Sequence, residues 1–351
     1  AHIVRKIIEK REDEIRPCVG ANYCLDRIYQ GGSAYCIHNA ATGRELSMPQ
    51  IIEEAETLKK VVIVGSGPAG MEAARVAGER GHEVVVYEAA PNPGGQIRLT
   101  AQNERRREMI SIIEWRMAEC TRLGVSFHFN TWAEAETIAA ENPDVVIIAT
   151  GGMPDTEVLS KGNDLVVSTW DIISGDVKPG TNVLVYDDAG DHAGLQAAEL
   201  IAKSGAKVEI MTPDRSFAPE VMAMNLVPYM RSMQKLDTTF TVTYRLEAVE
   251  KQGNQLIAHV GSDYGGVAKQ RIVDQIVVNH GTIPLDDIYF ELKPGSSNHG
   301  EMSHDQLLAG QPQSVVRNPD GTYQLFRIGD AVSARNTHAA IYDALRLLKD
   351  V

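Results

Sequence analysis

The run Val61-Val62-Ile63-Val64-Gly65-Ser66-Gly67-Pro68-Ala69-Gly70 has the residue types that hold a pyrophosphate. An apolar strand leads into a glycine turn and then into a helix. Gly65 permits the tight turn, Gly67 lets backbone N–H groups approach phosphate oxygens, and Gly70 lets the helix pack close to the strand. Pro68 and Ala69 complete the loop and are counted with the glycines as cofactor-binding. A second strand, 84–87, ends at Glu88, 21 residues after Gly67, where a carboxylate would bind ribose hydroxyls. The expected ligand is an ADP-containing cofactor; a glycine turn without ligand is the alternative.

A second strand–turn–helix begins at Asn182, and its turn reads Tyr186-Asp187-Asp188-Ala189-Gly190-Asp191-His192-Ala193-Gly194. No GxGxxG is present, and three carboxylates stand where a pyrophosphate needs N–H donors. Two like charges ~4 Å apart cost on the order of 4 kcal/mol at an effective dielectric near 20. One good charge-assisted hydrogen bond returns only ~1.5–3 kcal/mol. This unit is therefore expected to bind NAD(P) poorly. The competing expectation is that the turn moves and its carboxylates face solvent.

Cys18, Cys24 and Cys36 fall in one short segment. Thiolates so spaced, in a loop after a helix, suit an iron–sulfur cluster better than a disulfide framework. A 4Fe-4S cluster takes four ligands, and the remaining cysteine, Cys120, sits far along in a helical stretch that reads as buried core. Free thiols without metal are the alternative. Arg105-Arg106-Arg107 reads as a solvated helix face, and Trp115, Trp132 and Trp170 as core or interface. No C-x-x-C pair lies near the first unit, and no Ser-His-Asp set, zinc spacing or Walker loop is present.

These residues need a frame. Residues 2–16 alternate charges in a helical pattern that ends before Pro17, and 17–59 are irregular. The 60–88 unit is followed by a polar loop (91–104), a helix (105–123), a strand (125–130) and an apolar strand (144–150) ending in Ala149-Thr150-Gly151-Gly152. The second unit has a strand at 183–186, a helix at 193–204 and a strand at 208–211. Residues 238–281 alternate in the manner of antiparallel strands, and 291–313 read as a polar surface loop. A strand (323–328), Gly329-Asp330 and a helix (336–349) close the chain. The predicted fold class is α/β, with two Rossmann-like nucleotide-binding domains, the second inserted in the first. Residues 60–152 and 282–351 form one, 153–281 the other, after an N-terminal cysteine loop in 1–59. A length of 351 residues suits two domains. The net charge of −13 argues against nucleic acid as a partner. No run approaches the ~18 apolar residues of a membrane span, and no signal peptide is read, so a cytoplasmic location is expected. The chain opens on Ala1-His2 without a methionine, which suggests a piece of a larger protein.

The order of these motifs resembles flavoprotein reductases of the glutathione-reductase type. There the Thr150-Gly151 pair would mark the crossing between domains, and Gly281-Thr282-Ile283-Pro284 the return. The Gly329-Asp330 carboxylate would take a ribityl hydroxyl of a flavin, and Gly95 and Gln96 would lie near the flavin ring or its replacement. Over nearly its whole length the chain further resembles the C-terminal half of the trimethylamine dehydrogenase, histamine dehydrogenase and 2,4-dienoyl-CoA reductase family. His2-Ile3-Val4-Arg5-Lys6-Ile7 is similar to the end of the last helix of that family's FMN-binding barrel. Arg16-Pro17-Cys18-Val19-Gly20-Ala21-Asn22-Tyr23-Cys24 through Cys36 is similar to its 4Fe-4S loop, with Ala21 at the position of the second cysteine. Alanine cannot ligate iron, so the cluster is a three-cysteine form, borrows a ligand or is absent.

The resemblance implies FAD or ADP on the first unit, with FMN and substrate held in a barrel outside this chain and no catalytic acid–base residues within it. The second turn resembles the amine-dehydrogenase branch, in which electrons leave through an electron-transferring flavoprotein. The wording Cys-Val-Gly-Ala-Asn-Tyr-Cys and Tyr-Asp-Asp is similar to bacterial N-demethylases of dimethylglycine or N-methylproline type. The implied partners are the protein's own barrel and such an electron acceptor, with a homodimer left open. Two other readings stand beside this one. One is an NAD(P)H-dependent flavin oxidoreductase using both units; the other is a non-catalytic ADP-binding docking module.

Overall fold

Val61, Val62 and Ile63 have no exposed surface, as expected of parallel strands covered by helices on both faces. They lie at the centre of one of two units into which the computed structural model, describing residues 2–351, divides; Ala1 lies outside the described residues. The chain first forms α1 (Ile3–Ile8), α2 (Tyr23–Tyr29), β1 (Lys60–Val64), α3 (Pro68–Glu79), β2 (Glu83–Tyr87), α4 (Gln96–Thr100), α5 (Ser111–Arg122), β3 (Ser126–His128), α6 (Ala135–Ala140) and β4 (Val145–Ile148). It leaves the first unit along β5 (Gly152–Pro154). The second unit, Met153–Ile283, contains β6 (Val167–Ser168), α7 (Thr169–Ser174), β7 (Asn182–Asp187), α8 (His192–Lys203), β8 (Lys207–Met211), α9 (Ala223–Met233), β9 (Thr238–Thr241), β10 (Arg245–Gln252), β11 (Gln255–Gly261), β12 (Lys269–Val273) and β13 (Gln275–Asn279). The return runs along β14 (Thr282–Pro284), paired with β5, to α10 (Asp287–Leu292), α11 (His304–Ala309), β15 (Gln324–Arg327) and α12 (Thr337–Leu348). No described helix is long and apolar enough to cross a membrane.

Each unit is built on a parallel five-stranded sheet, in the order β15-β4-β1-β2-β3 in the first and β6-β13-β7-β8-β9 in the second. The second adds an antiparallel sheet, β10-β11-β12. Three sequence expectations change. The helix over 2–16 stops at Ile8, Lys10 adopts a left-handed φ of 56°, and one 3-10 turn follows at Glu12–Glu14. A short helix is stabilised mainly by burying a face, and Ile3, Val4, Ile7 and Ile8 all stay exposed. Within 238–281, β9 and β13 pair in parallel, because alternation reports a buried face and not strand direction. Residues 291–313 are not simply a surface loop: Ser296 and Asn298 are buried. The Asn298 amide donates to the Glu301 and Leu325 carbonyls and accepts from Leu325 N–H, each at 2.8–2.9 Å, so its polarity is satisfied by backbone.

Residues 17–59 form no unit of their own. Val19, Ala40, Ala41, Met48 and Ile52 join the core of the first unit with Val61, Ile63 and the inner faces of α3 and α12. A buried charge cluster fastens them further. Glu72 on α3 accepts from Arg75 at 2.8 and 3.1 Å and from Arg116 on α5 at 2.7 Å. Arg116 also donates to the carbonyls of Ile112 and His38, at 2.8 and 2.9 Å. Arg16 donates to the same His38 carbonyl at 3.1 Å and lies 4.1 Å over the Trp115 ring. Burial raises the Glu72 pKa, but Arg116 and Arg75 outweigh it and hold the carboxyl well below its usual range. Removing one partner of a buried ion pair strands the others. Glu72→Gln is therefore expected to lower unfolding free energy by about 3–5 kcal/mol in urea denaturation at neutral pH.

Candidate functional site

The first unit gathers its predicted nucleotide residues at the carboxyl ends of its strands, where open α/β sheets bind ligands. Gly65 follows β1 with φ 99°, and a Cβ there would lie 2.4 Å from the Ala149 carbonyl oxygen after β4. A Cβ on Gly70 would lie 1.9 Å from the Gly65 carbonyl oxygen, so only glycine lets the first turn of α3 reach the strand. Gly67 is the N-cap of α3 without a side-chain cap, and its missing Cβ would point into open space. Pro68 and Ala69 form the first helical positions. Glu88 accepts from Ser66 N–H and Oγ, at 2.8 and 2.6 Å, and from Ala90 N–H at 2.8 Å. A carboxylate has about four acceptor positions, so ribose hydroxyls can still donate to it.

The remaining predicted residues close around this loop. Gly94 N–H donates to the Ser66 carbonyl at 2.9 Å, and a Cβ on Gly95 would meet Gly67 Cα at 3.4 Å. Gln96 donates to Asp330 at 3.0 Å, joining motifs 234 residues apart. A Cβ on Gly329 would lie 2.9 Å from that of Ala69, which sets Asp330 beside the start of α3. Thr150 Oγ1 donates to the Leu285 carbonyl, and Gly151 takes φ 74° where the chain turns toward β5. An uncapped helix start, a cradle that a Cβ would fill and two flanking carboxylates fit a pyrophosphate with its ribose. Sequence reading missed Ser66, whose role depends on its contact with Glu88.

The cysteines are not gathered in this way. Cys18 and Cys24 are exposed and Cys36 half-buried, all as free thiols; Cys120 is buried, as expected. Among the described residues, no group of three His, Cys, Asp or Glu could hold a metal ion. With Ala21 contributing no ligand, this donor set does not fit a four-ligand cluster. The segment is shaped by other contacts. His338 on α12 hydrogen-bonds the Cys36 carbonyl at 2.9 Å and stacks on Tyr23 at 4.8 Å. Burial lowers its pKa to about 4, which keeps the ring neutral.

In the second unit the three turn carboxylates differ: Asp187 is turned inward, Asp188 is half-buried and Asp191 stays exposed at the start of α8. Asp187 is buried and accepts from Gly190 N–H at 3.0 Å and from the Asn279 amide at 2.8 Å. Asp191 caps α8 by accepting from Ala193 N–H at 2.8 Å, and also accepts from Asn279 at 3.0 Å. Asp188 pairs with His280 at 2.6 Å. Asn279 and His280 were missed in the sequence, since nothing at the end of β13 announces a partner 92 residues away.

Fold and site together define a protein of the oxidoreductase class with two dinucleotide-type domains. The chain belongs to the pyridine nucleotide-disulphide oxidoreductase family, which it matches over residues 59–343. It is 80% identical over 350 residues to a probable N-methylproline demethylase of Rhizobium meliloti (strain 1021), covering 100% of this chain and 52% of that protein. It is 45% identical over 362 residues to an N,N-dimethylglycine/sarcosine dehydrogenase of Chromohalobacter salexigens, covering 99% of this chain and 52% of that protein. Histamine dehydrogenase from Rhizobium sp. 4-9 shares the fold, with a TM-score of 0.83 and 22% identity over 99% of this chain and 50% of its own. The chain thus spans about half the length of the curated relatives it matches.

Two outcomes test this geometry. Gly70→Ala would force α3 away from β1 and is expected to weaken nucleotide retention at least about tenfold, read as nucleotide per chain after gel filtration. The second concerns Asp187. Burial, then the nearby Asp191, pushes its pKa from 3.8 up to about 7. The folded chain therefore holds this proton more tightly than the unfolded chain, and the resulting stability is full below the ordinary carboxyl range and lost as pH rises through about 7. Asp187→Asn should stabilise relative to the parent at pH 8 and lose that advantage at pH 5, measured by thermal melts across that range.

Proposed function

We propose that this chain is the nucleotide-holding and electron-transfer portion of a flavin-dependent amine dehydrogenase or N-demethylase. The observation that carries the reading is the contrast between an uncapped α3 cradle in the first unit and a self-capped turn in the second. The relatives named as an N-methylproline demethylase and a dimethylglycine/sarcosine dehydrogenase support a secondary or tertiary amine as substrate. FAD or ADP would lie along Gly65–Gly70, with Glu88 at the ribose and Asp330 beyond the pyrophosphate. FMN and amine oxidation would belong to a barrel in the part of the longer relatives that this chain does not span. The chain's own residues bind and orient the nucleotide, and no step is assigned to an iron–sulfur cluster.

In this reading the partners are that barrel and an external acceptor such as an electron-transferring flavoprotein, in the cytoplasm. The test has two stages. Denaturation releases the nucleotide, and a flavin spectrum separates FAD from ADP. Anaerobic titration of the flavin-loaded protein with NADH and NADPH should then leave the flavin oxidised. Bleaching at micromolar nucleotide would overturn the proposal in favour of an NAD(P)H-dependent flavin oxidoreductase.

A further inference from the structure

The two units start from the same plan. β1 leads into α3, and β7 leads into α8, each helix being 12 residues long. Each keeps a glycine at the third helical position, Gly70 and Gly194. The neighbour that demands the glycine differs. A Cβ on Gly70 would strike the Gly65 backbone, whereas a Cβ on Gly194 would lie 2.4 Å from the carboxylate carbon and Oδ2 of Asp187. The Asp187 side chain therefore lies against the first turn of α8, in the space that the glycine turn of the first unit takes up with backbone alone.

The donors of the second turn are also in use. Asp188 and Ala189 N–H both donate to the Asn279 carbonyl, at 3.0 and 3.1 Å. Gly190 N–H donates to Asp187 at 3.0 Å, and Ala193 N–H to Asp191 at 2.8 Å. The Asn279 amide bridges the two carboxylates, so the cap and the buried acid are one hydrogen-bonded group. In the first unit the equivalent cap position is Gly67, and no side chain caps α3. An arriving pyrophosphate would have to displace two carboxylates held by the same amide, at the end of a helix whose dipole already favours them.

We infer that the second unit is a latent dinucleotide site, closed from within by Asp187 and Asp191, whose carboxylates take the backbone donors that a pyrophosphate would use. The closure is steric and electrostatic together, and its residues are specificity-determining: they keep NAD(P) off a fold built to hold it. It does not depend on which nucleotide the first unit carries.

The experiment is a gain of binding in the full-length chain with its first-unit nucleotide in place. Asp187→Gly with Asp191→Gly gives the second turn the glycine character of the first. Titration with NADH and NADPH, followed by nucleotide fluorescence, should show saturable binding of at least one of them, at least about tenfold tighter than to the parent. Asp188→Asn, which leaves Asp187 and Asp191 in place, should bind no better than the parent. A double variant that melts cooperatively, keeps its first-unit nucleotide and still shows no saturable binding at millimolar NAD(P)H would sink the inference. So would an Asp188→Asn variant that gains as much as the double variant. Should the double variant not fold, amide hydrogen exchange on the unaltered protein decides. Gly190 and Ala193 amides are expected to exchange slowly and to be indifferent to millimolar NADPH. Rapid exchange that slows only with the nucleotide means an open turn and overturns the closure.

Discussion

In a strand–turn–helix nucleotide site the first turn of the helix must come down onto the strand before it. In the first unit this approach leaves no room for a single carbon at residue 70, and the surrounding contacts follow from it. Ala149 presses on Gly65 from the neighbouring strand, Gly329 presses on Ala69 from the far end of the chain, and Asp330 and Gln96 are carried into place beside the helix start. The same helix is held from its other side by Glu72, through Arg116 on α5 and on to the carbonyl of His38. The proposed nucleotide cradle is thus fixed at once by backbone contact and by buried charge.

The backbone of the proposed cradle was legible in the sequence because its requirements are local. Gly65, Gly67 and Gly70 follow from one turn, Glu88 from the length of one strand–helix–strand unit, and the parallel strands from unbroken apolar runs. What could not be read depends on distant partners. Glu72 sits among small residues on a helix, and its burial becomes visible only when Arg116 arrives from another element. Asp187 read as a charge standing where a pyrophosphate needs donors, and its burial became visible only with Asn279 beside it. Ser296 and Asn298 read as surface because polarity in a sequence does not reveal whether water or backbone satisfies it. The end of α1 was missed for the opposite reason: the pattern was helical, but no core meets its apolar face.

The cysteine segment separates two properties that spacing alone joins. Its residues lie where a cluster loop would be read, yet its shape comes from Val19, Ala40, Ala41 and Met48 in the core, from two arginines on one carbonyl and from His338 on another. A fold so fastened tolerates an alanine at position 21, because no thiolate is needed to hold the loop in place. Shape and metal affinity can then vary independently in such a segment.

The paired strands β5 and β14 have an architectural consequence. The chain departs from the first unit at Gly152 and re-enters it at Pro284, and Leu285 N–H reaches back to the Gly151 carbonyl at 3.0 Å. Exit and entry are therefore a single hydrogen bond apart, and the 131 residues Met153–Ile283 are inserted between them. Such an insert is modular. A tight turn could bridge the gap, and the nucleotide cradle, whose strands and glycines all lie outside the insert, would keep every element that builds it.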